Sequence, residues 1–446
     1  MKSKITSKNK NLGKARQLLI IIYSLLITSV SLAQSRVFSS DIDNFWNAYD
    51  AISKTSDKAQ KLQLINEIYI EKGTDGLRSF MKVRNYSDTL WVELIAKYPK
   101  FWNSVRANTF TIKSKEAEIE QAIANFRKLY PKLRPANLYF TVGGLRSGGT
   151  VDGDKVLIGT EIATADAKTD VSEFENDWLG NVFKKQSLDN VVFLNVHEYV
   201  HTQQKQGAET VLASCIQEGS CDFIAELATK KPLESFYLTY GKAHADEVKN
   251  RFRLEMFTDN TANWLYNGTQ KGEASDLGYY VGYEICKRYY EKAKDKKKAV
   301  SEIIDLEYSD ESKLLEFVQK SGYFKTPIVK SEIVKEYESL CPEIVSVGPF
   351  QNGEKSVSSN LTEYTITFSK PMNPKAYSMN YSEEFGKNGW PITEIIGFSN
   401  ENKTVRIRMK LEPKTDYGFV ITNRGFKSQD GFKLRNETYK ILFKTN

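Results

Sequence analysis

NVHEYVHTQQ, residues 195–204, is the stretch on which the reading of this chain turns. The chain has 446 residues and three histidines, and two of them, His197 and His201, stand four apart here. On a helix, positions i and i+4 share one face about one turn apart, so both imidazoles can point at a single ion. Neutral imidazole suits zinc, at about 2.0–2.1 Å. Glu198 follows the first histidine directly, beside the ion without needing to bind it, where a general base acting on bound water belongs. The preceding NVVFLNV (190–196) is strongly apolar and predicts a buried helix. A buried imidazole pair without a partner is costly, and a metal removes that cost.

A catalytic zinc site needs a third protein ligand and an open fourth position. In the HExxHxxGxxH arrangement Gly would stand at 204 and His at 207, but this chain has Gln204 and Gly207. His244 is the remaining histidine, and no spacing rule recommends it. Glu218, in QEGSCDFIAEL (217–227) and 17 residues after His201, is the better candidate. A second helix antiparallel to the first can bring its carboxylate back to the ion. Asp222 lies one turn further on the same face and is placed to orient a ligand histidine through its other nitrogen. Glu226 continues the stripe and reads as a surface position.

HEYVH (197–201) with Glu218-x-x-x-Asp222 resembles the gluzincin pattern of thermolysin-like and aminopeptidase N-like metallopeptidases. The resemblance implies one zinc ion on His197, His201 and Glu218, with Glu198 as the base. The same text also looks like a family of exported bacterial proteins described as predicted zinc-dependent proteases. That likeness extends to FWNAYD (45–50), KGTDGL (72–77) and GGLRSGGT (143–150). Aminopeptidase N-like enzymes stabilise the oxyanion with a tyrosine from a Tyr-x-x-Gly segment, and Tyr279-Tyr280-Val281-Gly282 has that spacing, 61 residues after Glu218. Tyr279 is therefore the candidate donor to the oxyanion, with Tyr283 the alternative. Tyrosine is abundant here, 24 residues, so packing is the competing explanation. The Gly-x-Met-Glu-Asn segment that captures a free amino end in those aminopeptidases has no counterpart in this chain.

Outward from the motif, the chain divides by its periodicities. Residues 34–135 read as helical, with Ile119, Ile123, Phe126 and Tyr130 at helical spacing before Pro131, and Leu62, Ile65 and Tyr69 on one face of an earlier helix. ANLYFTVGG (136–144) and KVLIGTEIA (155–163) read as strands, and the Gly- and Asp-rich LRSGGTVDGD between them reads as a turn or hairpin. Helical patterns resume from about 171 to 340. Past Cys341 the period becomes two: Tyr364, Ile366 and Phe368 alternate with polar residues, as do Val405, Ile407, Met409 and Leu411. PEIVSVGPFQNG (342–353), TITFSKPMN (365–373) and DYGFVIT (416–422) resemble bacterial Ig-like domains. The expected fold class is α+β: a mostly helical zincin-like catalytic domain with a small β-sheet, followed by an all-β Ig-like sandwich. The expected domains are a signal peptide over 1–33, a helical region over 34–135, the metallopeptidase domain over 136–340, and the sandwich over 341–446.

The signal reading rests on six cations between Lys2 and Arg16, the apolar run LLIIIYSLLITSVSLA (18–33), and small residues before Gln34. Removing it takes the formal charge from +7 to +1, so nothing in the charge points to nucleic acid. No later segment is long and apolar enough to cross a membrane, and a secreted or periplasmic location is expected. Cys215, Cys221, Cys286 and Cys341 could pair or stay free in such a compartment. The function these features imply is an exported zinc metallopeptidase acting on a peptide or protein, with surface or glycan contact falling to the Ig-like domain. The alternatives are a non-enzymatic surface module with a structural zinc, and a zinc hydrolase of a non-peptide amide such as one in cell-wall material.

Overall fold

The computed structural model describes residues 37–175, 178–184, 186–188, 190–268 and 274–446. The expected signal peptide lies outside them. The chain forms two compact units: one runs to Ala245 and resumes over Trp264–Lys325, the other comprises Asp246–Asn263 and Thr326–Asn446.

The first unit opens with a short strand, β1 (Val37–Phe38), and six helices: α1 (Ser40–Ile52), α2 (Lys58–Ile65, continued by a π turn to Ile70), α3 (Asp75–Arg84), α4 (Asp88–Lys97), α5 (Pro99–Thr109) and α6 (Ile112–Leu129). Their apolar stripes are buried: Ile119, Ile123 and Phe126 of α6 point inward, as do Ile65 and Tyr69 of α2 and its extension. A four-stranded sheet follows, in the order β1-β2-β4-β3. β2 (Asn137–Thr141) pairs parallel with β4 (Lys155–Gly159), and both are almost wholly buried apolar runs, as central parallel strands are. The connection between them, expected as a turn or hairpin, holds a strand of its own and makes the hairpin. β3 (Gly149–Asp152) pairs antiparallel with β4 and forms the sheet edge, closing a two-residue hairpin at Gly153, where φ is +60°. The run TEIA, expected to extend β4, is instead a short helix, α7 (Thr160–Ala163).

The N-terminal helices are not a separate body. Tyr69 donates to Val142 O at 2.6 Å and accepts from Val142 N at 3.1 Å, and Trp91 Nε1 donates to Gly143 O at 2.9 Å. Glu161, fully buried on α7, accepts from Gly143 N at 2.7 Å and Leu145 N at 3.1 Å. Side chains far apart in sequence thus fix the loop that feeds the edge strand.

Next come α8 (Trp178–Phe183), α9 (Asn190–His201), α10 (Val211–Thr229), α11 (Phe236–Ala243), α12 (Ala245–Glu255), α13 (Leu277–Lys292), α14 (Lys296–Ile304) and α15 (Glu311–Ser321). α10 is the hub, packed against both α9 and α13. Its contact with α13 is backbone to backbone. A Cβ on Gly282 would lie 1.8 Å from Cys215 O, and one on Gly219 would lie 2.2 Å from Tyr283 N.

In the second unit, α16 (Lys330–Leu340) and most of α12 accompany seven strands. β5 (Ile344–Gly348), β6 (Glu363–Phe368), β9 (Thr404–Met409) and β8 (Ile392–Ser399) form one antiparallel sheet, in the order β5-β6-β9-β8. β11 (Thr438–Lys444), β10 (Asp416–Thr422) and β7 (Met379–Tyr381) form the other. The alternating residues read from the sequence, Tyr364, Ile366, Phe368, Val405, Ile407 and Met409, belong to one core shared with Phe419, Ile421, Ile441 and Phe443.

Two outcomes follow from this packing. Gly282→Ala should lower unfolding stability by about 2 kcal/mol or more, because the α10–α13 backbones cannot part without losing their contacts; an unchanged urea midpoint would contradict that contact. Burial pushes the Glu161 carboxyl from its usual 4.5 up to about 7. Between those values the folded chain binds more protons at this site than the unfolded chain does. The contribution of Glu161 is therefore present at low pH and lost as pH rises to about 7, amounting to at most about 3 kcal/mol. Urea unfolding should show the stability of wild type relative to Glu161→Gln falling between pH 5 and 7; a constant difference would contradict the shift.

Candidate metal centre

α9 carries the motif into the core because seven of its residues are apolar and its helix face from Val191 to Val200 is buried. Tyr199 anchors it, donating to Arg134 O at 3.0 Å and accepting from Ala136 N at 2.8 Å at the entrance to β2. His197 and His201 emerge on the same side, with ring centroids 5.0 Å apart.

α10 returns Glu218 to both rings. Glu218 Oε2 lies 3.4 Å from His197 Nε2 and 3.4 Å from His201 Nε2. That spacing is long for a direct hydrogen bond. It matches the edge of a tetrahedron around an ion with bonds of about 2.0–2.1 Å, which is about 3.3–3.4 Å. The other atom of each group is already occupied. His197 Nδ1 meets Asp222 Oδ1 at 2.7 Å, and Asp222 Oδ2 accepts from Tyr237 OH at 2.7 Å. His201 Nδ1 meets Gln204 Oε1 at 2.9 Å, and Gln204 Nε2 donates to Ser220 Oγ at 2.8 Å and Gln217 O at 3.1 Å. Glu218 Oε1 accepts from Tyr266 OH at 2.8 Å. These partners leave two Nε2 atoms and one carboxylate oxygen converging on one point, a donor set that fits zinc.

The electrostatics agree with that division. Burial would raise the Glu218 carboxyl, but the neighbouring imidazoles of His201 and His197 hold it well below the usual carboxylate range. Burial pushes Glu198 the other way, upward, with the same two histidines partly offsetting it. One carboxyl is thus kept as a ligand anion and its neighbour on α9 is left readier to carry a proton.

A second set of donors also falls within reach: His197, His201 and the buried Cys221 each offer an atom within 4.8 Å of the others. Cys221 Sγ approaches the wrong side of the ring, 3.4 Å from His201 Nδ1, the nitrogen held by Gln204. Burial, then the charge of Glu218, keeps its thiol well above the usual range. Glu218 Oε2, by contrast, is equidistant from the two unshared Nε2 atoms. All four cysteines are free and buried, so the open question of pairing resolves to four thiols.

Glu198 is buried beside the edge strand. A Cβ at Gly149 would sit 2.7 Å from Glu198 Oε1, so only glycine leaves that carboxylate its place. The centre opens into a cleft of about 1550 Å³ lined by Gly149, Thr150, Glu198, His201, Tyr237 and Tyr279, among others. Tyr279 stands at the centre, its ring 6.1 Å from His197 and 5.4 Å from Tyr237. Burial, then the charge of Glu218, keeps its phenol well above the usual range and hence protonated. Tyr283, the alternative, donates to Glu226 Oε1 at 2.8 Å away from the histidines. Glu226 is half-buried, not a surface position, and also accepts from Leu233 N at 2.8 Å. His244 is exposed and stacked on Tyr240, 4.0 Å between centroids.

Three participants carry no periodic signal. Tyr266 is 76% exposed on an irregular segment with φ +56°, Tyr237 starts a different helix, and Gln204 follows the end of α9. Of these only Gln204 stood at a position the spacing rules single out, and there it registered as the absence of a glycine.

Residues 180–310 match a protein family described as "Predicted Zn-dependent protease (DUF2268)". This chain is similar to that family over the segment holding α9, α10 and α13. No curated protein matches it. Among solved structures, the S-layer protein rSbsC(31-844) is 14% identical, with 74% of this chain and 45% of that one covered at a TM-score of 0.18. The N-terminal part of the S-layer protein SbsC is also 14% identical, with 90% and 68% covered at a TM-score of 0.16. The chain thus spans less than half the length of rSbsC(31-844), and superpositions of this kind place no element of it. Among the described residues no helix is long and apolar enough to cross a membrane.

Two substitutions separate the donors. Asp222→Asn should weaken zinc binding about 10–100-fold in a chelator competition, since it frees the His197 ring. Cys221→Ser should leave the zinc affinity within about twofold of wild type; a collapse there would make the thiol a ligand.

Proposed function

We propose that this chain is an exported zinc metallopeptidase of the gluzincin type, with His197, His201 and Glu218 as zinc ligands and Glu198 as general base. The observation that carries the reading is the placement of one Glu218 oxygen 3.4 Å from both Nε2 atoms, with the Glu198 carboxyl on the same helix facing the cleft. When bound, zinc supplies Lewis acidity that polarises a carbonyl and acidifies water. Glu198 takes the proton of the attacking water and returns it to the leaving amine, a task its upward-shifted carboxyl favours. Tyr279 donates a hydrogen bond to the oxygen on which charge develops. Asp222 and Gln204 hold the two imidazoles in the tautomers that keep Nε2 free. The edge of β3, unpaired on one side within its sheet, can pair with an extended peptide and draw it past Glu198.

Export through residues 1–33, a peptide or protein substrate, and an Ig-like assignment for the C-terminal strands belong to the same proposal. The last is supported by Tyr417 at the start of β10, whose hydroxyl accepts from Glu412 N at 2.7 Å, five residues upstream, as the tyrosine corner of such sandwiches does. The non-enzymatic reading, a structural zinc in a surface module, fits less well. A structural site is closed by a fourth protein ligand, whereas this one faces an open cleft with a buried carboxylate beside it.

Glu198→Gln should bind zinc like wild type and cleave a mixed peptide library at least ~10²-fold more slowly. Equal cleavage by both proteins would remove Glu198 from the mechanism.

A further inference from the structure

Four cations line the cleft: Arg84, Arg134, Arg146 and Lys205. Lys205 pairs with Glu307, and Arg134 is exposed and donates to Thr202 O. Arg84 and Arg146 are different. Arg84 ends α3, which packs on β3, and its Nε is buried without a hydrogen-bond partner. Arg146 lies in the loop that feeds β3. Its Nη1 donates to Arg84 O at 2.9 Å and Asn85 O at 2.8 Å, and its guanidinium lies 6.0 Å from the Tyr86 ring centroid. Among the described residues, neither guanidinium forms an ion pair with a carboxylate.

A buried donor without an acceptor is destabilising, more so when it belongs to a charged group. Arg84 keeps such a donor on the wall of the cleft, beside the exposed Arg146, whose Nη1 is spent on backbone carbonyls, and neither guanidinium is given a carboxylate there. The guanidinium fork matches a carboxylate in shape and charge, with two parallel N–H···O bonds. The wall they occupy is the Glu198 side: α3, which Arg84 ends, packs on β3, and β3 starts at Gly149 against Glu198. An anion seated there lies on the wall of the cleft that carries Glu198.

We propose that Arg84 and Arg146 form a carboxylate-binding subsite of the cleft, filled by a negative group of the substrate near the bond that is cut. Calling that substrate a peptide rests on the metallopeptidase reading; the recognition of a carboxylate does not. The carboxylate has two sources, the C-terminal end of a peptide or an Asp or Glu side chain within it, and they imply different cleavage modes.

The test measures binding, so it does not depend on turnover. Four matched hexapeptides, carrying Asp or Asn at one position and a free or amidated C-terminus, are titrated calorimetrically into the full chain bearing Glu198→Gln. Zinc-loaded and metal-free protein are compared, because zinc itself attracts carboxylates. A carboxylate-bearing peptide should bind about tenfold tighter than its neutral partner in both states, a preference that weakens with added salt. The free-end arm winning identifies the chain terminus as the ligand, and the Asp arm identifies a side chain. Adding Arg84→Gln with Arg146→Gln should bring the preference within twofold, and Arg84→Lys should restore part of it if the fork matters beyond the charge. Near-ultraviolet circular dichroism checks that each variant is folded, and the Arg84→Lys result stands if the double variant is not. A preference that survives in folded double variant, one that needs zinc, or none in any protein overturns the subsite. Zinc content and cleavage by wild type judge the metallopeptidase reading separately.

Discussion

The imidazole of His197 is held from both sides by one turn of α10. Asp222 takes its Nδ1 at 2.7 Å, and Glu218, four residues earlier, stands 3.4 Å from its Nε2. Two carboxylates and two imidazoles packed into a largely buried volume would be costly without strict pairing. Tyr237, Tyr266 and Gln204 complete that pairing. The remaining unshared atoms converge on one point, as the proposed zinc site requires. The α10 register is therefore the constraint that everything else serves. The Gly219–Gly282 approach fixes α10 against α13 and so sets Tyr279 beside His197, while Tyr199 pins α9 to the first residues of the sheet.

How far this was legible in the sequence follows from the range of each interaction. His197, Glu198 and His201 lie within five residues on one helix, where spacing alone dictates geometry. Glu218 and Asp222 needed one further step, an antiparallel return of the chain, and their one-turn spacing supplied it. The alternating strands past Cys341 were equally local: each inward residue of β6 and β9 is buried as its period demands. Tyr266 and Tyr237 reach the centre from segments whose positions depend on tertiary packing, and no pattern announces them.

The edge strand was half legible for a related reason: the connection reads as a turn or hairpin, and a hairpin forms, but nothing in it marks β3. Gly148, Gly149 and Gly153 in LRSGGTVDGD signal a turn, yet only Gly153 serves one. Gly149 is glycine because Glu198 occupies the space of its side chain, a requirement imposed by a residue 49 positions away in the sequence. Likewise 34–135 reads only as a helical region, whereas in the fold Tyr69 and Trp91 from it, with the buried Glu161, grip the loop between β2 and β3. The helical region is part of the machinery that positions the cleft wall.

The most direct test of the central claim is X-ray absorption at the zinc edge of the zinc-loaded full chain. The account predicts two imidazole nitrogens and oxygen ligands at about 2.0–2.2 Å, with no sulfur. A scatterer at about 2.3 Å would place Cys221 on the metal, and Glu218 would no longer be the ligand on which this description of the site depends.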